Sequence, residues 1–236
     1  MSAQEYFPDA RVASLADAAC SGEAAAVHRL IAAGVDVNGG GKDGITPLAW
    51  VVRCGNAAGV NILLKSGANP NHHDRSGATP FLSAVQGDDQ SILNLLIEAG
   101  ADLYQIGPSD DPAIVIALNQ GVGRGKWQSY YALLAKGIDI NRVYGPVDRD
   151  TPGTTIALHA VMMGRFDKVI ELIERGYRAN LGEIAIAMHI HHTDPKSPAW
   201  HQKQLLLTLL EKRGVPYDQI TTAFERGDRS PHLEQY

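Results

Sequence analysis

Cysteine, aromatic residues and long apolar runs are all scarce in this chain of 236 residues, and each shortage removes a class of protein. The two cysteines, Cys20 and Cys54, stand 34 residues apart with no CxxC around them. Neither a disulfide framework nor a zinc knuckle is indicated, and reduced, cytosolic thiols are expected. Aromatic residues make up only 6%, while alanine, leucine and glycine dominate, which favours small-residue helix packing over an aromatic-cored sandwich. Basic charge is also in short supply: 21 Lys and Arg face 26 Asp and Glu, a net charge of -5. The field that steers proteins to phosphate backbones is missing, so nucleic acid is not expected as a partner. No apolar run approaches the roughly 18 residues of a membrane helix, and no basic segment leads into an apolar one at the start. A soluble, cytoplasmic protein without membrane insertion is the expectation, unless a leader has been removed. What remains, 44% hydrophobic and 20% charged, is the composition of an ordinary folded domain.

The chain repeats itself. Glycines at 34, 67, 100, 137, 176 and 214 recur at separations of 33, 33, 37, 39 and 38, and a leucine stands four residues before each. Those leucines are Leu30, Leu63, Leu96, Leu133, Leu172 and Leu210, and three residues earlier still the side chain is again apolar. An i, i+3 apolar pair closed by glycine predicts one buried helix face and a left-handed stop. Short Asn- and Asp-rich turns follow, as in Gly-Val-Asp-Val-Asn at 34–38 and Gly-Ile-Asp-Ile-Asn at 137–141. Thr46-Pro47 and Thr79-Pro80 lie 21 residues before Gly67 and Gly100, each pairing a threonine N-cap with proline at the first helical position. Each unit reads as turn, first helix, connection, second helix and glycine stop.

With its Thr-Pro-Leu helix start and Gly-Ala-Asn-Pro-Asn helix end on a unit of about 33 residues, the chain resembles the ankyrin repeat family over residues 10–218. The resemblance implies an all-α solenoid of about six helix-turn-helix units, preceded by a lead at 1–9 and followed by a tail at 219–236 with one short helix. Some units depart from the pattern. The fourth inserts Gly121 to Gly125 between its helices, expected as a flexible connection. The fifth has Thr155-Ile156-Ala157 in place of Thr-Pro, and the last lacks the start motif, with a break at 192–197.

Sites for chemistry are sparse. His189, His192 and Asp194 form the strongest metal-like group, yet their spacing suits polar residues at a helix end better than a ligand set. His72 and His73 fall in a turn, and His159 occupies a packed first-helix position. No GxSxG, HExxH or Walker sequence occurs, so neither a catalytic centre nor a cofactor is expected. Cys20 and Cys54 end neighbouring first helices, which pack about 8–10 Å apart, so free thiols are expected there too.

Function is then expected on an exposed face. Hairpin tips supply Lys42, His72, Asp74, Arg75 and the long segment 142–150 with Tyr144, Asp148, Arg149 and Asp150, while first helices add Arg53, Gln86, Asn119 and Met162. Tyr144, Arg149 and Met162 are the expected anchors by residue type, and the acidic tips suggest a basic partner. Trp50, Trp127 and Trp200 are expected to cover core. Short alanine-rich units with irregular inserts look like bacterial stand-alone ankyrin proteins. That resemblance implies non-enzymatic protein binding, foremost an immunity or inhibitor protein that blocks a toxic effector. An ankyrin-type regulator or a secreted host-directed effector is the alternative, and a metal-dependent enzyme using His189, His192 and Asp194 a further one.

Overall fold

The computed structural model describes residues 2–145 and 153–227, which hold thirteen α-helices and no named strand. They divide into two compact units, Met1–Ile138 and Asp139–Tyr236. The first unit contains α1 (Ala10–Cys20), α2 (Ala24–Ala32), α3 (Pro47–Cys54), α4 (Ala57–Lys65), α5 (Pro80–Gln86), α6 (Gln90–Glu98), α7 (Ala113–Arg124) and α8 (Gln128–Ala135). The second contains α9 (Ile156–Met162), α10 (Phe166–Glu174), α11 (Leu181–Ile190), α12 (Pro198–Lys212) and α13 (Tyr217–Glu225).

Helix starts follow the sequence. The hydroxyls of Thr46, Thr79 and Thr155 accept from the amides of Ala49, Leu82 and Leu158 at 3.3, 3.0 and 3.1 Å, so three first helices carry the same cap. Helix ends follow too. All six repeat glycines have positive φ, from 77° at Gly137 to 101° at Gly176, a region that a β-carbon disfavours. The residue after each glycine donates its amide to the leucine four residues before it, at 2.9 to 3.3 Å. That following residue is itself buried in all six cases: Val35, Ala68, Ala101, Ile138, Tyr177 and Val215. The repeated leucine therefore serves as core side chain and as carbonyl acceptor of the stop.

Within the first unit, first helices stack as α1 on α3, α3 on α5 and α5 on α7, and second helices as α2 on α4, α4 on α6 and α6 on α8. Between repeats runs a ladder of asparagines. Asn38 and Asn71 donate to the carbonyls of Gly67 and Gly100, both at 3.1 Å, and accept from the amides of Asn69 and Asp102, both at 2.9 Å. The rung expected four residues after Gly100 falls on Tyr104. Inside the second unit, Asn141 repeats the arrangement toward Gly176 and Arg178, α9 packs on α11, and α10 on α12. Helix α13 covers α11, standing where the first helix of another repeat would.

The segment ahead of α1 is integral to the fold. Ala3 and Phe7 are buried, Ala3 donates to the Asp17 carboxylate at 3.2 Å, and Tyr6 and Phe7 pack on Trp50. The Tyr6 carbonyl accepts from the Lys42 amide at 2.6 Å, as the Asp43 carbonyl accepts from Arg75 at 2.7 Å. Residues before α1 thus supply the first hairpin tip.

The Gly121 to Gly125 segment is corrected by the structure: α7 runs on to Arg124, and only Gly125 turns left-handed to end it. Helix continues because Gly121 presents bare backbone to the indole of Trp127, where a β-carbon would overlap the ring. Trp127 then meets Tyr130 edge-on at 5.8 Å and covers core, as expected. Among the described residues no helix is long and apolar enough to cross a membrane.

Candidate protein-binding face

Arg53, Gln86, Asn119 and Met162 occupy one register, each seven residues past its helix N-cap at Thr46, Thr79, Pro112 and Thr155. Helical periodicity puts that position two turns along the same face of each first helix. In the first unit the neighbours at this register are Arg53 on α3, Gln86 on α5 and Asn119 on α7, consecutive in the stack. Arg53 has 52% of its side chain exposed, Gln86 is exposed and Asn119 half-buried, while Val52, Val85 and Leu118 just before them are buried. Met162 holds the register in the second unit and is 65% exposed, with Met163 beside it at 42%. Variable polar and apolar tips thus project from an invariant buried frame.

The first two hairpin tips are locked together beside Arg53. His72 Nε2 lies 3.1 Å from the Gly44 carbonyl, and the Arg75 guanidinium stands 3.7 Å from the Asp43 carboxylate. Asp74 holds its own turn, accepting from the Ser76 amide at 2.8 Å, the Ser76 hydroxyl at 2.6 Å and the Ala78 amide at 3.0 Å. Its other oxygen faces Arg53 at 3.7 Å. Burial works to raise the Asp74 pKa, but these hydrogen bonds and the Arg53 charge outweigh it and hold the carboxyl below its ordinary range. Asp74 is therefore turned inward and faces Arg53, while Asp43 stays exposed beside Arg75, so at these two tips the acidic surface read from the sequence is offset by exposed Lys42, Arg53 and Arg75.

Tyr144 is not an exposed anchor: its side chain is buried, with 7% exposure for the residue. Its backbone forms an antiparallel bridge with Thr154, 2.8 Å in both directions, which turns the ring inward. Asp148, Arg149 and Asp150 lie outside the described residues. An exposed apolar residue missed in the sequence is Ile106, 49% exposed where it bridges Pro112 at the third tip. Its only sequence signal was an isolated apolar residue beside Gly107-Pro108-Ser109-Asp110, a turn.

The histidines do not converge. His189 Nε2 lies 3.0 Å from the Glu225 carboxylate, His191 packs edge-on against Phe166 at 5.3 Å, and Asp194 accepts from the Lys196 amide at 2.9 Å. Among the described residues no group of three or more His, Cys, Asp or Glu is placed to hold a metal ion. Lys203 donates to the His191 carbonyl at 2.8 Å and lies over the Phe166 and Trp200 rings, its pKa lowered by desolvation.

The two cysteines are corrected from free thiols to a disulfide, Cys20–Cys54, with Cα atoms 5.7 Å apart. Axis spacing is the wrong measure here. Gly59 of α4 lies so close to the Ala19 carbonyl that a β-carbon would overlap it, and Asn56 donates to the Cys20 carbonyl at 3.0 Å. These contacts draw the ends of α1 and α3 within bonding reach.

Stacked helix pairs with variable tips and exposed first-helix positions define a helical repeat protein of the binding-scaffold class. Residues 15–106 match the family model for ankyrin repeats in three copies. The crystal structure of the human ASB11 ankyrin repeat domain is similar at 24% sequence identity, with a TM-score of 0.55, covering 81% of this chain and 96% of that one. No curated protein matches the chain. Residues 15–106 thus carry ankyrin repeats, and the chain shares the fold of an ankyrin repeat domain. Ankyrin repeats are in general scaffolds for protein-protein interaction, and the fold is typically non-enzymatic.

Proposed function

We propose that this chain is a binding protein that acts as an immunity or inhibitor protein, covering the working surface of a toxic effector. The observation that carries the binding reading is the shared register of Arg53, Gln86 and Asn119 beside the locked tips of Lys42, His72 and Arg75. A rigid row of side chains of mixed chemistry on a buried frame suits recognition of one folded partner, because little ordering entropy is lost on binding. The antagonist role rests on the resemblance to stand-alone ankyrin proteins and supplies the sharper test.

The tagged protein is recovered from its source cells, and whatever co-purifies near one to one is identified by mass spectrometry. The expected partner is a single protein that is toxic when expressed alone and harmless when this chain is co-expressed. A non-toxic partner, or several, would overturn the antagonist role and favour a regulator.

A further inference from the structure

The Cys20–Cys54 bond joins the last residues of α1 and α3 across a separation of 34. It sits at the repeat whose second helix buries least in the first unit. Along α2 only Val27 is buried, whereas α4 buries Gly59, Val60 and Leu63, and α6 buries Ile92, Leu93 and Leu96. A terminal repeat has a neighbour on one side only, so its opening is resisted by one interface where an inner repeat has two. The bond is also within reach of solvent: Cys54 is exposed and Cys20 half-buried. Structural disulfides persist in oxidising compartments and are rare among reduced cytosolic proteins.

We propose that Cys20–Cys54 is a reductant-accessible staple of the first repeat, and that the protein works in an oxidising compartment and loosens its N-terminal repeat when it meets thiols. In the opening step a small-molecule thiolate attacks the more exposed Cys54 sulfur, forming a mixed disulfide and expelling Cys20 as a thiolate that takes a proton. A second thiol attacks the mixed disulfide and releases Cys54 as its thiol. Two electrons pass to the protein, and two small thiols leave as one disulfide. The packing of α5 to α8 does not use the bond, so loosening is centred on residues 10–33 and on the tip where Tyr6 holds Lys42. This inference stands apart from the binding reading.

Hydrogen exchange of the full chain, oxidised and after reduction with a phosphine, tests it. The oxidised protein, produced in an oxidising compartment, should show no free thiol in denaturant and two after reduction. Reduction should raise exchange in residues 10–33 by about 100-fold to 1,000-fold, the loop-closure expectation for this separation, while α5 and α6 keep their protection. A Cys20→Ser, Cys54→Ser variant should match the reduced pattern and ignore reductant; should it fail to fold, reduction and reoxidation of the unaltered protein decide. Two free thiols in the oxidised preparation, unchanged exchange on reduction, or equal loss of protection in α5 and α6 would each overturn the proposal.

Discussion

Asn71 donates through Nδ2 to the carbonyl of Gly100, 3.1 Å away and 29 residues along the chain. The same side chain accepts through Oδ1 from the Asp102 amide at 2.9 Å and the Gln105 amide nitrogen at 2.7 Å. One asparagine therefore fixes the end of the next repeat's second helix and the start of its hairpin tip. Asn71→Ala strips three groups of a partner and should destabilise the first unit by about 1–3 kcal/mol in urea unfolding, with an unchanged m-value. An effect under about 0.5 kcal/mol would show that water replaces the rung.

Gly59 marks the closest approach of two repeats. A β-carbon there meets the Ala19 backbone, which cannot swing aside as a long side chain would. Gly59→Ala should cost about 1–3 kcal/mol despite alanine's better helix propensity. Stabilisation instead would mean that the contact is looser than the geometry states.

Tyr177 is fully buried and shares a 2.8 Å hydrogen bond with Thr155. Burial pushes its hydroxyl up from 10.0 to about 12, against the opposing pull of the Thr155 bond. The folded state holds the phenol neutral, so this contribution is complete below pH 10 and lost as pH rises toward 12. Between pH 10 and about pH 12 the unaltered protein should lose stability in its second unit faster than Tyr177→Phe, by at most about 1.4 kcal/mol per pH unit. Urea titrations followed at Trp200 would report it, and parallel slopes would show that the phenol titrates normally.

Tyr144 and Arg53 should part company on mutation. Tyr144→Ala empties a buried site and should lower stability by about 3–5 kcal/mol. Arg53→Ala with Gln86→Ala trims exposed side chains and leaves Asp74 held by Ser76 and Ala78, so helicity and melting should stay close to the parent while partner binding weakens by at least about 1 kcal/mol. Calorimetry beside thermal unfolding separates the two outcomes, and unchanged affinity in the second variant would remove the first-helix row from the binding face.

Much of the frame was legible by period alone, since a leucine four residues before a glycine specifies a core contact and a helix stop in one stroke. Thr46, Thr79 and Thr155 declare their helices because capping is local chemistry, settled within three residues. The first-helix row was legible for the same reason: Arg53, Gln86, Asn119 and Met162 keep a constant distance from their caps. Contacts across repeats were not. Only the tertiary structure turned Tyr144 inward through Thr154, paired Asp74 with Arg53, ran α7 through two glycines to seat Trp127, and brought Cys20 to Cys54. Local chemistry determines where each helix begins and ends; which side chains face one another depends on how closely two backbones approach, and a single bare position such as Gly59 decides that.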